Sequence, residues 1–203
     1  MTAPVIDVWF DFASTYSYPA AMRAGRLAAD AGIAWRYRPF LLGPIFQAQG
    51  WETSPFNIYA SKGRYMWRDL ERLCDELSIP FQHPKPFPQN SLLAARVALA
   101  AAQEPWLGDY CRAVFRAQFG EGLRIDDPAV IGGILRQLDI SAGPFLERAQ
   151  SDQIKLLLRQ QTVKAAELGI FGAPSFVTAD GELFWGNDRL EAAIAWALRG
   201  SGT

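Results

Sequence analysis

A chain of 203 residues, half of them hydrophobic, can bury a sizeable core and suits one domain, or one domain carrying a large insertion. Its 20 basic and 21 acidic residues leave a net charge of -1, which excludes a general attraction to nucleic acid or to an anionic membrane. Two cysteines far apart, Cys74 and Cys111, with one histidine, His83, exclude structural zinc and read as buried thiols.

No basic, then apolar, leader precedes the first strand pattern, and no run reaches the ~18 apolar residues of a membrane span, so a soluble cytoplasmic protein is expected. The apolar run 5–10 reads as a buried strand. It passes through Phe10-Asp11-Phe12-Ala13-Ser14-Thr15-Tyr16-Ser17-Tyr18 into a helical pattern with Ala20, Ala24, Leu27, Ala28 and Ala31 on one face. Gly32 stops that helix, and Ile33, Trp35 and Tyr37 alternate with Ala34, Arg36 and Arg38 as a second strand. Strand, helix and strand in this order predict a parallel pair with a right-handed crossover, whose ligands bind at the carboxyl ends of the strands, where Ser14 stands.

Residues 41–55 are rich in Gly, Pro and Gln without a period and read as a loop. A helix then turns Met66, Leu70, Leu73, Cys74 and Leu77 inward and stops at Ser78-Ile79-Pro80. The proline-rich loop 81–88 carries His83, read as a structural or solvent-facing residue. Helical patterns follow over 91–103, 106–119, 128–138 behind the cap-like Asp126-Asp127, from Pro144, and over 151–168. Strand returns at 174–178, turns at Ala179-Asp180-Gly181 and continues at 183–185, a hairpin signal. Gly186-Asn187-Asp188 opens a last helix with Leu190, Ala193, Ile194, Ala197 and Leu198 on one face. The order βαβ, helices, ββα predicts an α/β, thioredoxin-like fold with a large all-helical insertion. The thioredoxin-like domain is expected to be discontinuous, over 1–44 and 169–203, around an insertion at 45–168.

Four groups of residues are candidates for chemistry. Ser14 and Ser17 lie at a helix N-terminus, where unpaired N–H groups favour negative charge, with the spacing of a thioredoxin-type cysteine pair but no cysteine. The hinge therefore reads as a holder for another molecule's thiolate, with a helix cap as the competing role of Ser14. A Ser-His-Asp hydrolase lacks an oriented base, since His83 is isolated. In Phe171-Gly172-Ala173-Pro174-Ser175, the fold predicts a cis Pro174 facing the helix N-terminus, with the preceding backbone open to a peptide ligand. At Gly186-Asn187-Asp188-Arg189, capping competes with a ligand role in which backbone N–H groups take a carboxylate and Asp188 takes an ammonium, the two ends of an α-amino acid or γ-glutamyl group. Lys62, Arg64 and Arg68, with Asn57 upstream, read as a solvated helix face or as a clamp for an anionic ligand.

The hinge motif at 10–18, Phe171-Gly172-Ala173-Pro174-Ser175-Phe176 and Trp185-Gly186-Asn187-Asp188-Arg189-Leu190 together resemble the 2-hydroxychromene-2-carboxylate isomerases and their relatives, the kappa-class glutathione transferases. The resemblance implies that Ser14 hydrogen-bonds the sulfur of glutathione, Ala173 before Pro174 pairs with the tripeptide backbone, and Asn187 and Asp188 beside Gly186 hold its γ-glutamyl end. It implicates Asn57 and Lys62 as well. The family usually has Pro after the first serine, where this chain has Thr15. Implied too are a small aromatic carboxylate substrate, a homodimer, a place in aromatic degradation, and isomerisation of a cyclic hemiketal to trans-o-hydroxybenzylidenepyruvate by reversible thiolate addition. A kappa-like transferase conjugating electrophiles and a non-catalytic thioredoxin-like peptide-binding module are the alternatives. Disulfide exchange ranks last, both positions of the redox pair being serine.

Overall fold

Two stretches from opposite ends of the chain build one sheet. In the computed structural model, which describes residues 3–200, β1 (Val5–Phe10) is flanked on one side by β2 (Ala34–Pro39) and on the other by β3 (Ser175–Thr178), with β4 (Leu183–Trp185) outermost. Residues 1–2 and 201–203, the extreme ends of the expected thioredoxin-like domain, lie outside the described residues. β1 runs parallel to β2, with Val8 opposite Tyr37, and antiparallel to β3, with Val8 opposite Phe176. A parallel pair needs a crossover, and α1 (Ser17–Ala31) supplies it, ended by Gly32 in the left-handed region at φ 65°. The Asp-Gly turn joins β3 to β4 antiparallel, with Gly181 at φ 87°.

Between the two halves of the sheet lie α2 (Leu42–Ala48), α3 (Pro55–Ile58), α4 (Ala60–Leu77), α5 (Leu92–Ala100), α6 (Leu107–Phe115), α7 (Pro128–Gln137), α8 (Ala142–Gln150) and α9 (Asp152–Glu167). A π-helical turn, Arg116–Gly120, extends α6. α10 (Leu190–Arg199) follows a 3-10 turn, Asn187–Arg189, and buries Leu190, Ala193 and Ile194, while Leu198 in its last turn is exposed. The helix starts follow short-range rules: Asp127 caps α7 by accepting from Ala129 N at 2.8 Å, and Ser151 caps α9 by accepting from Ile154 N at 3.3 Å. No helix of the described residues is long and apolar enough to cross a membrane.

One expectation fails locally. Residues 41–55 are not a continuous loop, because α2 occupies 42–48. Pro44 is tolerated in its first turn, where an N–H is not needed for the helix, and Ile45 is buried against the sheet. The helix survives a breaker-rich sequence because tertiary contacts, rather than propensity, hold it.

Apolar clusters cover both faces of β1. On one side Phe10 and Phe12 meet Phe115, with the Phe12 and Phe115 rings 4.9 Å apart, so that α5 to α8 share the core of the sheet and α1. On the other, Trp9 and Val177 pack with Phe40, Ile45, Ala165 and Ile170 from α2, α9 and adjoining segments. Cys74 and Cys111 are buried free thiols in the first cluster.

Candidate active site

The site grows from the turn that follows β1. Ser14 N donates to Asp11 O at 2.9 Å and Tyr18 N to Thr15 O at 3.2 Å, which folds the chain back into the first turn of α1. The Asp11 side chain, 4% exposed, accepts from Ala13 N at 2.9 Å and Ser91 Oγ at 2.6 Å through one oxygen, and from Leu42 N at 2.8 Å through the other. One carboxylate thus pins the hinge, the start of α2 and the residue before α5. Burial pushes the Asp11 carboxyl above its ordinary range, against the pull of those three donors.

Ser14 is not a helix cap. The N-cap of α1 is Tyr16, and no side chain caps that end. Instead Ser14 Oγ, buried, donates to the carbonyl oxygen of Ala173 at 2.8 Å. The Ala173–Pro174 peptide is cis, and Pro174 O in turn accepts from Gly186 N at 2.9 Å. Hinge, cis-proline and the turn after β4 are therefore joined by hydrogen bonds. Ser17 Oγ is buried without a partner among the described residues.

A cavity of about 550 Å³ opens beside the hinge. Ser14, Thr15 and Ala173 line it together with the aromatic residues Phe46, Trp51, Phe56, Phe87 and Trp185, and its charged lining residues are Asp11 and Lys62. The Lys62 ammonium stands 4.8 Å from the centre of the Tyr59 ring. Phe171 packs on Trp185 with centroids 4.8 Å apart. Gly172 lies so close under that indole that a Cβ would collide with it, so glycine is required there for packing.

The structure brings Ser14, Lys62 and Ala173 together in this cavity. Pro174 borders a separate, much smaller hollow of about 20 Å³ behind the hinge, next to Ser17. Asn57, Gly186, Asn187 and Asp188 are outside the lining. Asn57 spends its amide locally, donating to Thr53 Oγ1 at 3.1 Å. Gly186 sits at φ 112°, a conformation that suits glycine, and the buried Asn187 caps neither the 3-10 turn nor α10 with its side chain; Asp188 is exposed. Of the other basic residues near Lys62, Arg68 pairs with Glu71 at 2.8 Å, and neither Arg64 nor Arg68 lines the cavity. His83 is solvent-facing and outside the cavity lining: its ring lies 4.5 Å from that of Trp67, and Nε2 is 3.2 Å from Glu71 Oε1.

Residues 5–194 match the model of the DSBA-like thioredoxin domain. A 2-hydroxychromene-2-carboxylate isomerase of Pseudomonas sp. (strain C18) is 30% identical over 187 residues, 92% of this chain and 86% of that protein. The chain belongs to this family of isomerases, within the DSBA-like thioredoxin domains. A solved structure of a 2-hydroxychromene-2-carboxylate isomerase superposes with a TM-score of 0.83 at 30% identity, covering 97% of each chain. The human glutathione S-transferase kappa 1 is 28% identical over 199 residues, 92% of this chain and 87% of its own.

Thr15 has a visible use in this hinge. Its hydroxyl donates to Met66 Sδ at 3.2 Å and ties the hinge to α4, the helix that carries Lys62. Asp11 is the site residue that sequence patterns missed. An isolated aspartate between two phenylalanines carries no spacing signal, and its partners Leu42 and Ser91 lie 31 and 80 positions away. Phe46 and Trp51 escaped for a related reason, lying in a stretch without period.

Proposed function

We propose that the protein is a glutathione-dependent isomerase that interconverts 2-hydroxychromene-2-carboxylate, or a similar cyclic hemiketal, with trans-o-hydroxybenzylidenepyruvate. The observation that carries this reading is the 2.8 Å bond between Ser14 Oγ and Ala173 O in the wall of an aromatic cavity. These two groups satisfy each other in the free protein. A ligand that brings one acceptor for Ser14 and one N–H for Ala173 replaces a single bond with two and strands neither group. A cysteinyl residue, with its sulfur and its backbone amide, is such a ligand.

Glutathione, when bound, supplies the thiolate that adds reversibly to the ring-opened, unsaturated substrate and permits rotation about the former double bond. The chain's own residues hold and charge-match the parts. Ser14 donates its hydroxyl to the sulfur, and the peptide dipoles at the start of α1 favour negative charge there. A thiol with pKa near ~8.5 is only a few per cent thiolate at neutral pH, and a shift of about two units at a helix N-terminus makes thiolate the majority form. Lys62 holds the substrate carboxylate and stabilises negative charge developing towards the enolate. Ala173 pairs with the tripeptide backbone, and Asn187 and Asp188 receive the γ-glutamyl end, with Asn57, Pro174 and Gly186 completing the set. The aromatic walls suit a flat aromatic substrate. In this reading the thioredoxin-like part, 1–44 and 169–203, supplies Ser14 and Ala173, and the insertion, 45–168, supplies Lys62, Trp51 and Phe87 on the facing walls.

Support from kinship comes from relatives named as this isomerase at 28 to 30% identity, among them that of Sphingobium xenophagum. The test is a spectrophotometric assay of hydroxychromene isomerisation with and without glutathione, wild type beside Ser14→Ala. Isomerisation that needs the thiol and falls in the variant supports the assignment. Equal activity in both proteins, or no thiol requirement, removes it, and accumulation of a stable glutathione conjugate assigns a kappa-like transferase instead.

A further inference from the structure

Arg23 carries no signal in the sequence and does not line the cavity, yet it holds the turn after β4 in place. It sits in the second turn of α1, six residues beyond Ser17 and so about 9 Å along the helix axis. Its Nε donates to Asn187 Oδ1 at 3.1 Å, and Nη2 donates to Asn187 O at 2.8 Å. Nη1 and Nη2 fork onto the Glu191 carboxylate at 2.5 and 2.7 Å. A chain of contacts thus closes on itself: Ser14 to Ala173, Pro174 to Gly186, Asn187 to Arg23, and back along α1 to the hinge.

The chemistry of these groups orients the asparagine. Guanidinium is a donor only, so Asn187 has to turn its carbonyl oxygen towards Arg23. Its Nδ2 is then the end of the amide turned away from Arg23, a donor open at the surface of a residue that is otherwise 7% exposed. A donor amide beside the exposed carboxylate of Asp188, which Arg189 approaches to 3.7 Å, presents, in order, a partner for a carboxylate and a partner for an ammonium that has to compete with Arg189.

We propose that Arg23 is the positioning residue that makes this site selective for a thiol bearing an α-amino-acid end. It acts through Asn187, by fixing the side chain and backbone of the turn relative to the hinge where the sulfur is held. The inference rests on the assignment of Asn187 and Asp188 to the γ-glutamyl end. Losing Arg23 frees the amide to rotate and the turn to move, which weakens capture of the zwitterionic end but leaves the hinge, the cavity and Lys62 as they are. Binding of a thiol without that end is untouched.

The experiment is steady-state isomerisation by wild type, Arg23→Ala and Arg23→Lys, each with glutathione and with cysteinylglycine, which lacks the γ-glutamyl group. Thermal unfolding is followed in parallel. In wild type, glutathione is expected to have a KM at least tenfold below that of cysteinylglycine. In Arg23→Ala, KM for glutathione is expected to rise about tenfold with kcat at saturation within twofold, and kcat/KM with cysteinylglycine to stay within twofold. Arg23→Lys keeps the charge opposite Glu191 but cannot fork onto Asn187, so it is expected to fold normally and to show a similar rise in KM. Equal losses with both thiols in Arg23→Lys, or an unchanged KM for glutathione, overturn the role of Arg23 alone. A wild type that uses the two thiols equally well overturns the assignment of the turn, and this inference with it.

Discussion

Ser14 and Ala173, 159 positions apart, share a single hydrogen bond of 2.8 Å that joins the β1–α1 hinge to the strand pair at the far end of the chain. In the proposed reading both atoms change partners when glutathione takes them, and until then each satisfies the other. On that reading, Ser14→Ala removes the donor to the glutathione sulfur. With a hydrogen bond to a charged group worth about 1.5–3 kcal/mol, kcat/KM is expected to fall about 10- to 100-fold. Thermal unfolding measured alongside is expected to show a loss of about 1 kcal/mol from the stranded Ala173 carbonyl. A fall in kcat/KM matched by gross unfolding would refute the specific role.

Lys62 is the cation in the lining of a cavity that also presents the rings of Phe46, Trp51, Phe56, Phe87 and Trp185. Lys62→Met keeps the aliphatic stem and removes the charge, so kcat/KM for the carboxylate substrate is expected to drop about 10- to 100-fold. Lys62→Arg is expected to recover part of it, since an arginine restores the charge but not the compact ammonium. Equal activity of the Met variant and wild type would show that the substrate carboxylate is held elsewhere.

Asp11 has a native pKa raised above its ordinary value, so the folded protein binds this proton more readily than the unfolded chain does. The contribution of the group to stability is therefore fully present below about 3.9, the ordinary aspartate value, and is lost as pH rises through the native value. Asp11→Asn abolishes this titration but sets an amide N–H against one of three donors, at a cost of about 1–3 kcal/mol. Urea unfolding over a pH series is expected to show the variant less stable than wild type in acid, with the gap narrowing as pH rises. A gap that widens with pH would mean that the three donors outweigh burial and hold the native carboxylate ionised.

Cys74 and Cys111 lie in the core, and burial pushes the Cys74 thiol up to about 12 and raises Cys111 as well. A thiolate-specific reagent such as a dithiobisbenzoate at pH 8 is expected to leave both unreacted in the native protein and to titrate both after denaturation. Rapid labelling of a native thiol would reopen disulfide chemistry for this chain.

The strands, most helices and the caps of α7 and α9 were legible in the sequence because they depend on neighbours within a few positions. Alternation over 33–38 marked β2 to within one residue, a 3.6 period marked α4, Asp127 and Ser151 marked helix starts, and Asp-Gly marked the hairpin. α2 was not legible: its first N–H is satisfied by Asp11, 31 residues earlier, and Ile45 is buried in a cluster drawn from both ends of the chain.

The same division runs through the site. By itself the sequence determined a polar hinge at a helix N-terminus with no cysteine in it, an Ala-Pro before a strand, and an Asn-Asp turn before the last helix. Only the tertiary structure decided that Ser14 answers to Ala173 rather than to its own helix, that Asp11 binds three segments, and that Arg23 turns the amide of Asn187. A periodic pattern records which face of an element is apolar. It does not record which distant polar group meets which, because that choice is made when the packed chain leaves a buried donor only one acceptor within reach.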